Sequence, residues 1–169
     1  MISRLKLLAI AGLFVTCMGS GALAHAGPAV GCAMLTPAQI QKVLGQPFGA
    51  PSETKAPPAF AKQSSGWNCQ YRAQKGGRVQ TVTFIVYEDA SPAEAKQTFD
   101  KLEAWYSLTS RRTGQAQPNS KPAVGDEAYM DAKGDAIRVL KGKVRFYVGF
   151  DRGDQKQLTD LAAAIAAHI

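Results

Sequence analysis

Two pairs of adjacent carboxylates, Glu88-Asp89 and Asp126-Glu127, are the side chains in this sequence with the clearest potential for chemistry. Two carboxylates that converge in a cleft can act as general acid and general base, as in glycoside hydrolysis. Glu88-Asp89, however, comes just before a predicted helix, where the helix dipole favours negative charge. Asp126-Glu127 follows Gly125 in a predicted turn. Because acidic side chains are mostly solvated, structural roles are favoured, and an envelope hydrolase remains the alternative.

Histidine chemistry is nearly excluded by composition. The chain has 2 His, one of them in the predicted leader and the other, His168, next to the last residue. Serine-histidine-aspartate, cysteine-histidine and histidine-zinc arrangements therefore lack their central side chain. The sequence also contains no phosphate-binding glycine loop, no dinucleotide-binding motif and no calcium loop. We predict no catalytic residue, no metal site and no cofactor.

Basic and hydroxyl side chains on the predicted strands give the better functional indication. If helices cover one face of the sheet, the other face displays a polar set that suits an anionic ligand. The candidate ligand-binding residues are Arg72, Thr81, Thr83, Arg138, Lys143, Arg145 and Tyr147. Candidate partners are an acidic protein, an anionic envelope polysaccharide or a lipid head group; nucleic acid is not expected. The alternative is a solvated face that keeps the protein soluble and discourages edge pairing.

Four aromatic residues could line a sugar or peptide groove: Trp67, Tyr71, Trp105 and Tyr106. Aromatic side chains at strand or helix spacing more often belong to a core. We therefore expect these four to pack inside the protein.

The first 26 residues have the pattern of a secretory signal peptide. Arg4 and Lys6 precede an apolar run, and Ala24-His25-Ala26 has the small residues of a cleavage site. The run is too short for a stable transmembrane anchor. A lipoprotein is disfavoured because Thr16 precedes Cys17, where the lipidation signal requires a smaller residue. We expect cleavage near Ala26 and a periplasmic or extracellular product.

Cleavage would change the charge and the cysteine count. The full chain has 20 basic and 13 acidic residues; removal of Arg4 and Lys6 leaves 18 − 13 = +5. Cys32 and Cys69 remain, and an even count in an oxidising compartment favours a disulfide. A redox-active pair is the alternative, but such pairs usually have a short C-x-x-C spacing.

Helix signals occur at three places in the remaining chain. Thr36-Pro37 opens the first, Ser91-Pro92-Ala93-Glu94 opens a long second, and Asp154 with Gln157 opens the last. A proline-rich segment at 46–66 separates the first helix from the strands and is predicted as an irregular loop.

The strand signals complete a single domain over residues 27–169. Alternating β-branched and aromatic residues predict strands at 67–73, 78–87, 127–131, 136–140 and 144–150. Hairpin turns dominate, and no strand–helix–strand unit demands a parallel sheet. The fold class is therefore α+β: one antiparallel sheet of about five strands with helices on one face, in the order α-ββ-α-βββ-α.

Several short motifs resemble a family of small secreted or lipid-anchored bacterial envelope proteins of unknown function. The motifs are Cys32-Ala33-Met34-Leu35-Thr36, Leu44-Gly45, Cys69-Gln70-Tyr71 and Gly125-Asp126-Glu127-Ala128-Tyr129. The resemblance implies a compact α+β domain in the bacterial envelope and no catalytic residues.

These observations favour an exported, non-enzymatic binding or accessory domain over an enzyme. One alternative is the envelope hydrolase with paired carboxylates. Another is an inhibitor of an envelope enzyme, with the 46–66 segment as its inserting element.

Overall fold

A computed structural model of the chain describes residues 30–57, 65–113, 121–131 and 133–169. The predicted signal peptide, residues 1–26, lies outside the described residues, as does the middle of the proline-rich segment.

The fold is α+β, with one antiparallel sheet of six strands. The strands are β1 (Ser52–Lys55), β2 (Ser65–Lys75), β3 (Arg78–Glu88), β4 (Glu127–Met130), β5 (Ala136–Lys141) and β6 (Val144–Phe150). Their order across the sheet is β1-β2-β3-β6-β5-β4. The five expected strands are present and in the expected sequence order. The sixth, β1, lies inside the segment that was predicted as an irregular loop.

Strand β1 is short because prolines bound it. Pro51 precedes it, Pro57 follows it closely, and all four of its residues are exposed. Proline cannot donate a ladder hydrogen bond, so it is tolerated only at such an edge. The prolines therefore interrupt strand pairing, as the sequence predicts, but the residues between them still pair with β2.

Three helices flank the sheet: α1 (Pro37–Leu44), α2 (Pro92–Thr113) and α3 (Gln155–Ala166). Each of the predicted start signals is used. Thr36 with Gln39 and Asp154 with Gln157 form complete capping boxes, and the Ser91 hydroxyl accepts a bond from the Glu94 amide at 3.2 Å. These caps satisfy amide groups that a helix leaves unpaired at its start.

The main core lies between α1, α3 and one face of the sheet, which we call the first face. Alternate strand residues such as Val82, Phe84 and Val86 point into it and are completely buried. Leu158, Leu161 and other residues of α3 cover them from the helix side. The period of two in β3 and the helical stripe in α3 therefore meet in one apolar layer.

Helix α2 packs on the opposite, second face of the sheet, which differs from the expectation that all helices share one face. Ala95 and Phe99 of α2 form a separate apolar cluster with Tyr129 and Leu140. The two strand residues alternate with first-face residues, so they point to the other side. The physical reason is that β4 and β5 carry apolar side chains on both faces, and the second set also requires cover.

The N-terminal part of the described chain is attached to β2 by covalent and polar contacts. Cys32 and Cys69 form the predicted disulfide, with their Cα atoms 5.6 Å apart. The buried Tyr71 hydroxyl donates a hydrogen bond toward the carbonyls of Cys32 and Leu35. These contacts hold the 3-10 turn Cys32–Met34 and the start of α1 against the sheet.

Candidate functional site

Both acids of the first carboxylate pair, Glu88 and Asp89, form ion pairs at the end of β3. Asp89 is buried and receives two bonds from the Arg145 guanidinium, at 2.5 and 3.0 Å. Its neighbour Glu88 lies 2.6 Å from the Lys143 ammonium. Both acids are therefore ion-paired with strand β6 and its preceding turn, and Glu88 also lines a cavity of about 570 Å³.

The second carboxylate pair also has structural partners. A side-chain oxygen of Asp126 accepts a hydrogen bond from the Gly142 amide at 2.7 Å, which fixes the β5–β6 turn. Glu127 lies 3.1 Å from Lys96 of α2. The two pairs thus support neighbouring turns and the α2 contact, and Asp126 and Glu127 also line a cavity of about 250 Å³ together with Glu103.

Arg138 lies beneath α2 and is stacked among tyrosines. Its guanidinium carbon is 3.9 Å from the centre of the Tyr106 ring, 5.0 Å from that of Tyr147 and 5.5 Å from that of Tyr129. Burial raises the pKa of the Tyr129 hydroxyl, so that group stays protonated at neutral pH. This cation is held by aromatic faces and is only partly open to solvent.

The structure thus divides the predicted ligand-binding set into two groups. Arg138, Lys143, Arg145 and Tyr147 belong to the half of the second face that α2 covers, or to its turn, and all four have ion or ring partners there. Arg72, Thr81 and Thr83 lie on the half formed by β2 and β3. Arg72 is exposed there, and the two threonines are half-buried.

Register places the second group side by side. Arg72 pairs with Thr81 across β2 and β3, and Gln70 pairs with Thr83 one row further on. The Arg72 guanidinium also donates to the Gln70 side chain at 3.3 Å. These contacts produce a polar patch of one cation, two hydroxyls and an amide beside α2.

Additional cations lie at the nearby end of the sheet, on the first-face side of β2 and β3, so that the end carries positive charge on both sides. Lys75 and Arg78 face each other across the β2–β3 turn, and both are exposed. Arg152 follows the end of β6 and lines, with Lys75 and Gln80, a cavity of about 120 Å³. We call Arg72, Lys75, Arg78 and Arg152 the basic end.

The cations of the basic end differ from Lys143 and Arg145 in whether they form ion pairs with carboxylates. Among the residues that the structure describes, none of the four forms an ion pair with a carboxylate. Exposed guanidinium and ammonium groups at one end of a sheet produce a positive potential that attracts anions. Sequence reasoning found Arg72 and missed the other three. The signal for two of them is the sequence Lys75-Gly76-Gly77-Arg78, since its glycines predict a hairpin turn that brings the two cations together.

The four aromatic candidates have different environments, and the half-buried Tyr106 is the one that stacks on Arg138. Tyr71 is fully buried, as expected for core. Trp67 is half-buried beneath the Lys55 ammonium, which lies 3.6 Å from the ring centre. Trp105 is 48% exposed, which the helical spacing of α2 did not predict.

The described ranges contain neither a cluster of metal ligands nor a membrane-spanning helix. No group of three or more His, Cys, Asp or Glu side chains there has the arrangement needed to hold a metal ion. In the same ranges, no helix combines the length and hydropathy required to cross a bilayer.

No protein-family model matches the chain, and no curated protein matches it either.

Proposed function

We propose that the protein is an exported, non-enzymatic binding domain that holds an anionic polysaccharide of the bacterial envelope across its basic end. The observation that carries this proposal is the set of exposed, unpaired cations at one end of the described sheet, next to the Thr81 hydroxyl. Repeated carboxylates or sulfates of a polymer that wraps around this end of the sheet would meet Arg72 on one side and Lys75, Arg78 and Arg152 on the other, so weak individual contacts would add.

The state of the other charged residues supports a binding role rather than catalysis. Asp89, Glu88 and Glu127 are engaged with cations, and Asp126 fixes a turn amide. An acid–base mechanism requires a carboxylate within reach of a bound substrate and free to exchange a proton.

Export is supported by the cysteine chemistry and by the predicted signal peptide. A disulfide between Cys32 and Cys69 is typical of proteins that mature in an oxidising compartment. The periplasm or the extracellular space is therefore the proposed location.

Affinity electrophoresis through gels that contain polygalacturonate, a polymer of uronic acids, tests the proposal. The double variant R72Q/R78Q should bind about tenfold more weakly than the wild type, since two cation contacts are removed. Neutral dextran should retard neither protein.

A matched control distinguishes the loss of specific cations at the basic end from the loss of net positive charge. The variant K42Q/K143Q removes the same two charges from α1 and from the β5–β6 turn, and it should bind within about twofold of the wild type. Equal losses in both double variants would show that total charge governs binding, and the proposal would be wrong. Unchanged binding by R72Q/R78Q would exclude the basic end. Selective capture of an acidic protein in place of the polymer would assign the surface to that other partner.

A further inference from the structure

Helix α2 carries an exposed strip that the proposed polysaccharide binding does not use. Trp105 and Leu108 are 48% and 50% exposed, which makes them two of the four exposed large hydrophobic residues among those described. Lys101 lies one turn before them and Arg112 one turn after, and both are exposed. Spacings of four, three and four residues put all of these side chains on one side of the helix.

The strip differs from the rest of α2 in its exposure to solvent and in its unpaired charges. Ala95 and Phe99 bury the opposite side against β4 and β5. Two acids of the same helix are already paired, Asp100 with Lys96 at 2.6 Å and Glu103 with Lys121 at 3.5 Å. Lys101 and Arg112 form no ion pair within the described part of the chain. The strip is therefore apolar at its centre and positive at both ends.

The direction of the strip follows from the helix geometry. Lys96 reaches Glu127, so that side of α2 faces the edge strand β4. Trp105 is nine residues further on, and at about 100° per residue it lies on the opposite side, toward β3. The Trp105 ring also packs edge-on against Tyr106, with ring centres 4.8 Å apart, which restricts its orientation.

We infer that this strip, Lys101, Trp105, Leu108 and Arg112, docks the protein onto an anionic lipid bilayer. Charge complementarity is the reason for this choice of occupant, since cations on both sides of an apolar pair match acidic head groups above an acyl layer. Tryptophan, leucine and basic residues on one helix side are typical of helices that lie in the membrane interface. The contact is peripheral and reversible, because only two large apolar side chains enter the interface.

Co-sedimentation with lipid vesicles tests the docking. In about 0.1 M salt, the wild type should sediment with vesicles of equal parts phosphatidylglycerol and phosphatidylcholine, and not with phosphatidylcholine alone. The variant W105S/L108S should lower the partition coefficient about tenfold, because it removes apolar contact without changing charge. K101Q/R112Q should lower it by a similar factor.

Two controls match these variants. V79S removes another exposed apolar side chain, 57% exposed in the wild type, and it should leave vesicle binding unchanged. R72Q/R78Q removes the same two charges as K101Q/R112Q but from the basic end, so it should lose polygalacturonate and keep the vesicles. The two proposals can therefore fail separately.

A second measurement needs no substitution. The chain has 2 Trp, so protein grown with 5-fluorotryptophan gives two fluorine resonances. Anionic vesicles should broaden and shift the Trp105 resonance far more than that of Trp67. Absence of anionic vesicle binding, equal binding by W105S/L108S, or an unchanged Trp105 resonance would each overturn the inference. Self-association that W105S/L108S abolishes, without vesicle binding, would assign the strip to a second copy of the chain.

Discussion

The role of a charged residue in this protein depends on its burial and on its partners, and not only on its residue type. Arg145 and Lys143 have the same charge as Arg72, yet both are within 2.6 Å of a carboxylate, whereas the Arg72 guanidinium donates to the Gln70 side chain and forms no ion pair with any described residue. Arg145 is 3% exposed, so its charge contributes to the interior of the protein rather than to the surface potential. The number of cations in a segment is therefore a poor measure of its binding capacity.

The Arg145–Asp89 pair leads to a stability prediction. Asp89→Asn should lower the free energy of unfolding by about 3 kcal/mol or more, because it leaves a buried guanidinium without its counter-charge. Urea unfolding at neutral pH measures this change. Glu88→Gln is the matched control, since its partly exposed pair with Lys143 contributes less than about 1 kcal/mol. A cost for Asp89→Asn as small as that of the control would mean that the pair is not buried as described.

Asp131 leads to a pH prediction. Burial and the neighbouring carboxyl of Asp135 raise the pKa of Asp131 above its ordinary value of 3.8. The folded protein therefore binds this proton more tightly than the unfolded chain, and ionisation of Asp131 costs stability as the pH rises through the raised pKa.

Asp131→Asn removes this cost. Its amide oxygen can still accept the bonds from the Asp135 and Ala136 amides, at 3.1 and 3.3 Å. The variant should be more stable than the wild type at pH 7, and the difference should vanish near pH 3. Thermal unfolding at the two pH values measures both. A constant difference across this range would show that Asp131 titrates normally.

At the scale of elements, helices were easier to predict than their placement. The caps at Thr36, Ser91 and Asp154 determine helix starts through local hydrogen bonds, so they are visible in the sequence. The side of the sheet on which α2 packs depends on distant residues, Tyr129 and Leu140, that alternate with first-face positions. A stripe on a helix identifies its buried side but not the surface that buries it.

The element that depends most on a covalent link is the N-terminal turn with α1. The disulfide closes a separation of 37 residues. Chain-entropy reasoning gives a loss of about 4 kcal/mol for the variant C32A/C69A, provided that the native structure is otherwise unstrained.

Urea unfolding of this variant and of the oxidised wild type measures the loss. Tyr71→Phe retains the disulfide but removes the hydroxyl that binds the same turn, so it should cost less, about 1–3 kcal/mol. If C32A/C69A is as stable as the wild type, the disulfide does not constrain the chain.

At the scale of the whole molecule, the two faces of the sheet have different roles. The first face forms the main core, whereas the second is divided between the α2 cluster and the polar patch of β2 and β3. The fold class and all five predicted strands followed from local patterns. The basic end did not, because Arg152 becomes a neighbour of Lys75 only when the β2–β3 turn and the end of β6 meet at one end of the sheet.

The central claim, that the basic end binds an acidic polysaccharide, is tested most directly by amide NMR of the nitrogen-15-labelled protein during titration with oligogalacturonate. The account predicts that the largest shifts map to Arg72, Lys75, Arg78, Thr81 and Arg152, and that they diminish as salt is raised. Shifts that map instead to α1 and α3, or no saturable shifts at all, would contradict it.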